Sequence, residues 1–210
     1  MTLWAIVPVK PLRRGKSRLS GVLSLEARTA LNHYLLSNTL ETLASVPEIE
    51  YSLVVSRDPA ALTIAREYRA RTVQEQGSPQ LNIALTRATI VALSHSVQGV
   101  IIVPADLPLI TAEDIREVVK RGVEPPVVVI TPDRHHQGTN ALLISPPGLI
   151  KYEYGPGSFQ RHCLQAEKVG ARLEICERRS VALDIDLPED LELAGYELME
   201  VNKSINLTGL

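Results

Sequence analysis

The stretch "GVIIVPADLPLI", residues 99–110, decides the architecture. Its first half is almost unbroken aliphatic sequence. A strand with one face in water alternates apolar and polar residues, whereas a strand apolar at every position is covered on both faces, as in parallel sheets sandwiched by helices. Its second half turns abruptly to Pro104, Asp106 and Pro108, which projects a carboxylate from the strand's carboxyl end. In open α/β sheets that end is where ligands bind.

The same alternation extends in both directions. Apolar runs at 3–9 ("LWAIVPV"), 51–56, 71–75, 126–131, 140–145 and 171–177 read as further strands, beside 99–105. Amphipathic segments at 24–44, 58–70, 79–95, 112–122, 157–170 and 187–201 read as helices. Asp58 followed by Pro59 is an N-cap and first-turn pair, and Thr111 and Gly122 bracket the helix between them. Strand–helix alternation of this kind predicts one three-layer α/β domain, a Rossmann-like, mostly parallel mixed sheet with helices on both faces. The domain is expected over residues 1–201, with 202–210 a polar C-terminal tail. No repeat, linker or low-complexity segment divides it.

Composition narrows the function classes. With 45% apolar and 22% charged residues, the chain has the make-up of an ordinary soluble domain. A net charge of −2 excludes a general nucleic-acid binder, which is basic overall. Cys163 and Cys176 have neither metal-ligand spacing nor the number needed for a disulfide framework. No apolar run is long enough to span a bilayer, and Leu3–Val9 is too short for a signal-peptide core. A cytoplasmic protein without membrane partners is expected. The pattern does not encode oligomeric state, and a homodimer is among the assemblies it allows.

Four constellations follow strands. "VKPLRRGKSRLSG" (9–21) carries Lys10, Arg13, Arg14, Lys16 and Arg18, and its Gly15-Lys16-Ser17 looks like the end of a P-loop. The P-loop pattern requires a glycine where Lys10 stands, and Pro11 lacks an amide for a backbone nest. The loop therefore meets a polyanion by side-chain charge, or is simply a solvated charged loop. In "PADLPLI", Asp106 is either a turn cap or a ligand for a hard cation such as Mg²⁺, which takes carboxylate oxygens and shares itself with phosphate. In "LDIDLPEDL" (183–191), Asp184 and Asp186 flank Ile185, so in extended backbone both carboxylates point the same way. Two such charges repel unless a cation lies between them. With Asp106 they make a three-carboxylate metal site, while Glu189 and Asp190 read as helix-start residues. The fourth pairs "GTNALLIS" (138–145) with "YGPGSF" (154–159), where Ser158 opens a helix beside Thr139. It is either a second anion site or a plain capped helix start. His135, His136, His162 and Cys163 fit no ligand or nucleophile pattern, and no G-x-S-x-G elbow is present.

Taken in order, "VPVKPLRRGKSRL", "PADLPL", "GTNALL", "GPGSFQRH" and "DIDLPEDL" resemble the guanylyltransferase family of deazaflavin coenzyme (factor 420) biosynthesis, within the larger group of single-domain nucleotidyltransferases. The resemblance runs to about Leu193. It implies transfer of GMP from GTP to phosphoenolpyruvate or 2-phospho-L-lactate, with Mg²⁺ as cofactor. By the same resemblance Asp106, Asp184 and Asp186 hold metal, with Asp106 and Lys16 catalytic. Thr139, Gly155 and Ser158 hold the phosphorylated acid, and Lys10, Arg13, Lys16 and Asn82 contact the nucleotide. Gln80-Leu81-Asn82 departs from the family's Gly-Leu-Asn, and Leu187 stands where threonine is common. Competing readings are a sister transferase of the molybdenum-cofactor type and a non-catalytic nucleotide-binding regulator.

Overall fold

In the computed structural model, which describes residues 2–77 and 80–195, the expected strands appear as β1 (Leu3–Val9), β2 (Ile49–Ser56), β3 (Arg71–Gln74), β4 (Gly99–Ile102), β5 (Val127–Pro132), β6 (Thr139–Ser145) and β7 (Arg172–Ile175). They form one sheet in the order β3-β2-β1-β4-β6-β5-β7. Pairing is parallel for β1 with β2 and β4, for β2 with β3, and for β5 with β7. β6 runs antiparallel to both β4 and β5. The helices are α1 (Leu25–Ala44), α2 (Pro59–Glu67), α3 (Leu81–Leu93), α4 (Ala112–Arg121), α5 (Ser158–Lys168), α6 (Arg179–Ala182) and α7 (Pro188–Leu193).

The unbroken apolar strands are explained by what covers them. Along β1, Leu3, Ala5 and Val7 enter one core, and Trp4 and Ile6 enter the other. Along β4, Ile101 faces the first core while Val100 and Ile102 face the second. This is the two-residue period of a strand packed on both sides. The first core takes Leu36 and Leu40 from α1, Ala61 and Ala65 from α2 and Ile115 and Val118 from α4. The second takes Ala84, Leu85 and Ala88 from α3 and Ala166 from α5. A smaller third cluster joins Leu19, Leu31 and Leu35 to Ile185 and Leu191, and so holds the C-terminal segment against α1.

Local chemistry starts the helices where the sequence says. Ser24 accepts from the Ala27 amide and Asp58 from the Ala60 amide. Thr111 and Asp114 cap each other reciprocally, which satisfies two otherwise orphaned amides. Three details differ from expectation. β4 ends at Ile102 rather than 105, although the Val103 amide still donates to the Ile6 carbonyl at 3.0 Å. The one-turn α6 has no counterpart in the sequence reading. The helix expected over 187–201 stops at Leu193, where Ala194 is its C-cap and Gly195 takes φ 70°, and residues 196–210, with the expected tail, lie outside the described residues. The reversal of β6 matters for the site: with Ile102 opposite Leu142, Thr139 and Asn140 lie just beyond the carboxyl end of β4.

Candidate active site

The loop after β1 is fixed from several sides. Asp58, besides capping α2, accepts from the Leu12 amide at 2.7 Å, and Asn32 Nδ2 donates to the Leu12 carbonyl at 2.7 Å. The amides of Arg14 and Gly15 both donate to the Pro11 carbonyl, at 2.8 and 2.9 Å. They point into the loop, so no phosphate-binding nest forms. Gly15 is required by close approach, because a Cβ there would stand 2.6 Å from Asn32 Nδ2. Immediately after it Lys16 takes a left-handed backbone conformation, φ 55°, uncommon outside glycine, asparagine and aspartate. That turn sends its side chain inward, where it is 7% exposed.

There Lys16 Nζ lies 2.9 Å from Asp106 Oδ2 and 3.3 Å from Asp186 Oδ1. Burial alone would lower the ammonium's pKa, but Asp106 and Asp186 outweigh it and the net shift is upward, so Lys16 stays charged. The acids are held from below. The Ile185 amide donates to the Asp106 carbonyl at 3.1 Å, and the Ile185 side chain is fully buried. Asp190 accepts from the amides of Asp186 and Leu187 at 2.8 and 2.6 Å, and is paired with Arg134 at 2.7 Å. The helix-start aspartate thus clamps the "DID" backbone.

One oxygen from each of Asp106, Asp184 and Asp186 lies within 4.8 Å of the others. Asp184 is pushed up to about 6, first by burial and then by its two acidic neighbours. Asn140 Nδ2 approaches it at 3.5 Å. A compact set of carboxylate oxygens, one of them destabilised in its charged form, suits a hard divalent cation.

Asp106 and Asp186, but not Asp184, line a cavity of about 410 Å³, whose walls also include Pro8, Lys10, Gly15, Lys16, Val55, Arg57, Glu75, Gln80 and Leu81. That volume falls in the range of small-molecule sites. Lys10 lines it, while Arg13 is exposed and outside the lining. Asn82 is also absent from it: its Oδ1 accepts from the Tyr154 amide at 2.8 Å and its Nδ2 faces the Tyr154 carbonyl at 3.4 Å. The amide expected to contact the nucleotide braces a neighbouring loop instead. Sequence reasoning passed over Arg57 and Glu75. Each directly follows a strand, β2 or β3, and that position was the available signal.

Thr139, Ser158 and His162 form a separate buried cluster, 6%, 1% and 0% exposed. The N-cap of α5 is Gly157, whose φ of 74° demands glycine-like freedom, and Ser158 is the first helical residue. Ser158 donates its amide to the Gly155 carbonyl at 3.0 Å and its hydroxyl to Thr139 Oγ1 at 3.3 Å. His162 Nε2 accepts from the Glu153 amide at 3.0 Å, which places the ring proton on Nδ1. Nδ1 then donates to Thr139 Oγ1 at 3.0 Å. Burial, with Arg161 adding, lowers His162 to about 4, so the ring stays neutral. Two donors converge on Thr139 Oγ1, leaving the threonine's own proton to be donated elsewhere. The cluster adjoins the acids through Asn140. Ser158→Ala is expected to lower unfolding free energy by about 1 kcal/mol, read from the urea midpoint. An unchanged midpoint would mean that the hydroxyl does not support this cluster.

Comparison with known proteins places the sequence and the fold. Residues 3–199 match the family described as "Guanylyl transferase CofC like". The chain is 41% identical over 191 residues to a phosphoenolpyruvate guanylyltransferase of Rubrobacter xylanophilus, covering 91% of this chain and 92% of that protein. It is 33% identical over 186 residues to a 2-phospho-L-lactate guanylyltransferase of Methanocaldococcus infernus, covering 89% and 81%. A nucleotidyl transferase from Methanothermobacter shares the fold, with TM-score 0.69 at 14% identity over 96% of this chain and 99% of that one. With the family model matched over almost its whole length and a relative 41% identical to it, the chain belongs to the CofC-like guanylyl transferase family.

Proposed function

We propose that the protein transfers GMP from GTP to phosphoenolpyruvate, releasing pyrophosphate and forming enolpyruvoyl-2-diphospho-5′-guanosine. The observation that carries this reading is the cluster of Asp106, Asp184 and Asp186 with Lys16, of which Asp106, Asp186 and Lys16 line the cavity. A phosphate monoester has a second pKa near ~6 and is largely dianionic at pH 7, so its oxygen attacks the α-phosphorus without a general base. One P–O bond forms there as the bond to the β-phosphate bridge breaks. The protein's task is then to position the reactants and balance their charge. No buried histidine–nucleophile pair is needed, in keeping with a neutral His162 whose ring nitrogens, among the described residues, bond to Thr139 and the Glu153 amide.

In this reading the three aspartates hold Mg²⁺, which when bound neutralises phosphate oxygens. Lys16 and Lys10 face the triphosphate. Thr139 donates its remaining proton to the acid's phosphate, with Gly155 and Ser158 shaping that side. The test is direct: GTP, Mg²⁺ and each of the two acids, with pyrophosphate measured. Release with phosphoenolpyruvate and not 2-phospho-L-lactate supports the assignment, the reverse transfers it to the second acid, and release with neither removes it.

The raised pKa of Asp184 gives a pH prediction. Its folded pKa is about 6, against ~3.9 for an unperturbed aspartate. Between those values the folded state holds a proton that the unfolded state has lost. The contribution to metal-free stability is therefore full below ~4 and is lost as pH rises through 6, on the order of 3 kcal/mol. A cation replaces the proton above pH 6. The rise in Tm on adding Mg²⁺ is expected to be larger at pH 7.5 than at pH 5. Equal shifts at both pH values would place the cation away from Asp184.

A further inference from the structure

We propose that Glu75 reads the guanine edge of the nucleotide and is the residue that sets base preference. The inference rests on the guanylyl-transfer reading above and names the part of the site that selects the base. Glu75 follows β3, three strands from β4 and Asp106 in the sheet order. At ~4.8 Å per strand this is roughly 14 Å across the sheet, far enough to hold a base while the α-phosphate lies at the acids. The cavity is continuous between the two, and Leu81, Ala84 and Val55 give it apolar wall near Glu75.

The Glu75 side chain is 13% exposed, and among the described residues its carboxylate is poorly satisfied. Among the described residues its Oε1 meets only a long contact from the Gln80 amide, 3.4 Å, and its Oε2 stands 3.8 Å from Arg57 Nε. That Nε is itself buried without a hydrogen-bond partner among the described residues, and Arg57 Nη2 is committed to the Gly77 carbonyl. An arginine–carboxylate pair normally closes to a short, charge-assisted contact. Here it is held open beside a cavity, with carboxylate acceptor capacity unused among the described residues. A carboxylate accepts two parallel donors. Guanine supplies two on one edge, N1–H and the 2-amino group. Adenine sets an N1 lone pair against the carboxylate instead, and hypoxanthine keeps N1–H but lacks the 2-amino donor. Asn82, the amide expected near the base, is engaged with the Tyr154 backbone and leaves this role to Glu75.

The test is steady-state kinetics with GTP, ITP and ATP at saturating acid, on the natural protein and on Glu75→Gln. The natural protein is expected to use ITP about tenfold less efficiently than GTP, and ATP about 10³-fold less. In Glu75→Gln one acceptor becomes an NH₂ facing a guanine donor. The KM for GTP is expected to rise about tenfold or more, the KM for the acid to stay put, and the GTP-to-ITP ratio to approach one. A variant that retains the natural GTP-to-ITP ratio overturns the assignment. If the natural protein turns over no GTP with either acid, the guanylyl reading itself fails, a separate outcome. Should the variant not fold, calorimetric binding of GTP and ITP to the natural protein reads the same contact, and equal affinities overturn it.

Discussion

Replacing Asp106 by asparagine is expected to lower turnover about 10³-fold with the fold intact. The amide would match the shape of the carboxylate but not its charge, and two partners feel that loss. One is Lys16, 2.9 Å away. The other is the cation that we propose is shared with Asp184 and Asp186. Removing one preorganised charge from a polar site costs on the order of 10²–10³ in rate, and Asp106 serves two partners, which puts it at the upper end. The fold should survive because the tie to the "DID" segment uses the Asp106 backbone carbonyl. The same variant carries a signature independent of activity. Asp106 is one of the charges raising Asp184, so the Asp184 pKa is expected to fall towards the ordinary carboxylate range, as followed by NMR titration. Near-normal turnover at saturating Mg²⁺, or an unmoved Asp184, would take Asp106 out of the cluster's chemistry.

The second large effect is expected at Lys16. Its ammonium sits where a divalent cation would also be drawn, between Asp106 and Asp186. Lys16→Ala removes that competitor, so Mg²⁺ is expected to bind the free protein several-fold more tightly. Turnover nevertheless falls on the order of 10²-fold or more, because the triphosphate loses a fixed positive charge, and the KM for GTP rises more than that for the acid. Without metal the variant is less stable at neutral pH, since Lys16 is one of the groups that lower the Asp184 pKa. Calorimetry of Mg²⁺ binding beside steady-state kinetics checks both halves. Weaker Mg²⁺ binding together with lost turnover would make Lys16 a structural support of the acids and nothing more.

Much of this was legible in the amino-acid sequence because the responsible forces are local. The period-two division of Leu3, Ala5 and Val7 from Trp4 and Ile6 is fixed by pleating, and Asp58-Pro59 and Thr111 write their own caps. Asp184 and Asp186 share a side because a single residue separates them. What was not legible depends on distant partners. An apolar run covered on both faces reads identically in either direction, so nothing in "NALLIS" reveals that β6 is reversed. The inward turn of Lys16 depends on carboxylates ninety and more positions away. The engagement of Asn82 depends on a backbone seventy-two positions distant. The one-turn α6 is too short for any periodicity to register. Glu75 looked like a strand end because the hydrogen bonds it lacks are visible only in three dimensions.

The tie between Ile185 and Asp106 also orders events during synthesis. A domain folds largely as a unit, and residues 184–186 leave the ribosome well after β1 to β4, with Lys16 and Asp106, have emerged. Until that late segment arrives, Asp106 has no acidic companions and Leu19, Leu31 and Leu35 lack the Ile185 and Leu191 that complete their cluster. The segment that completes the acidic trio is also the one that buries the last apolar surface on α1, so a molecule clipped before residue 184 is expected to lack both and, under the proposed function, not to consume nucleotide.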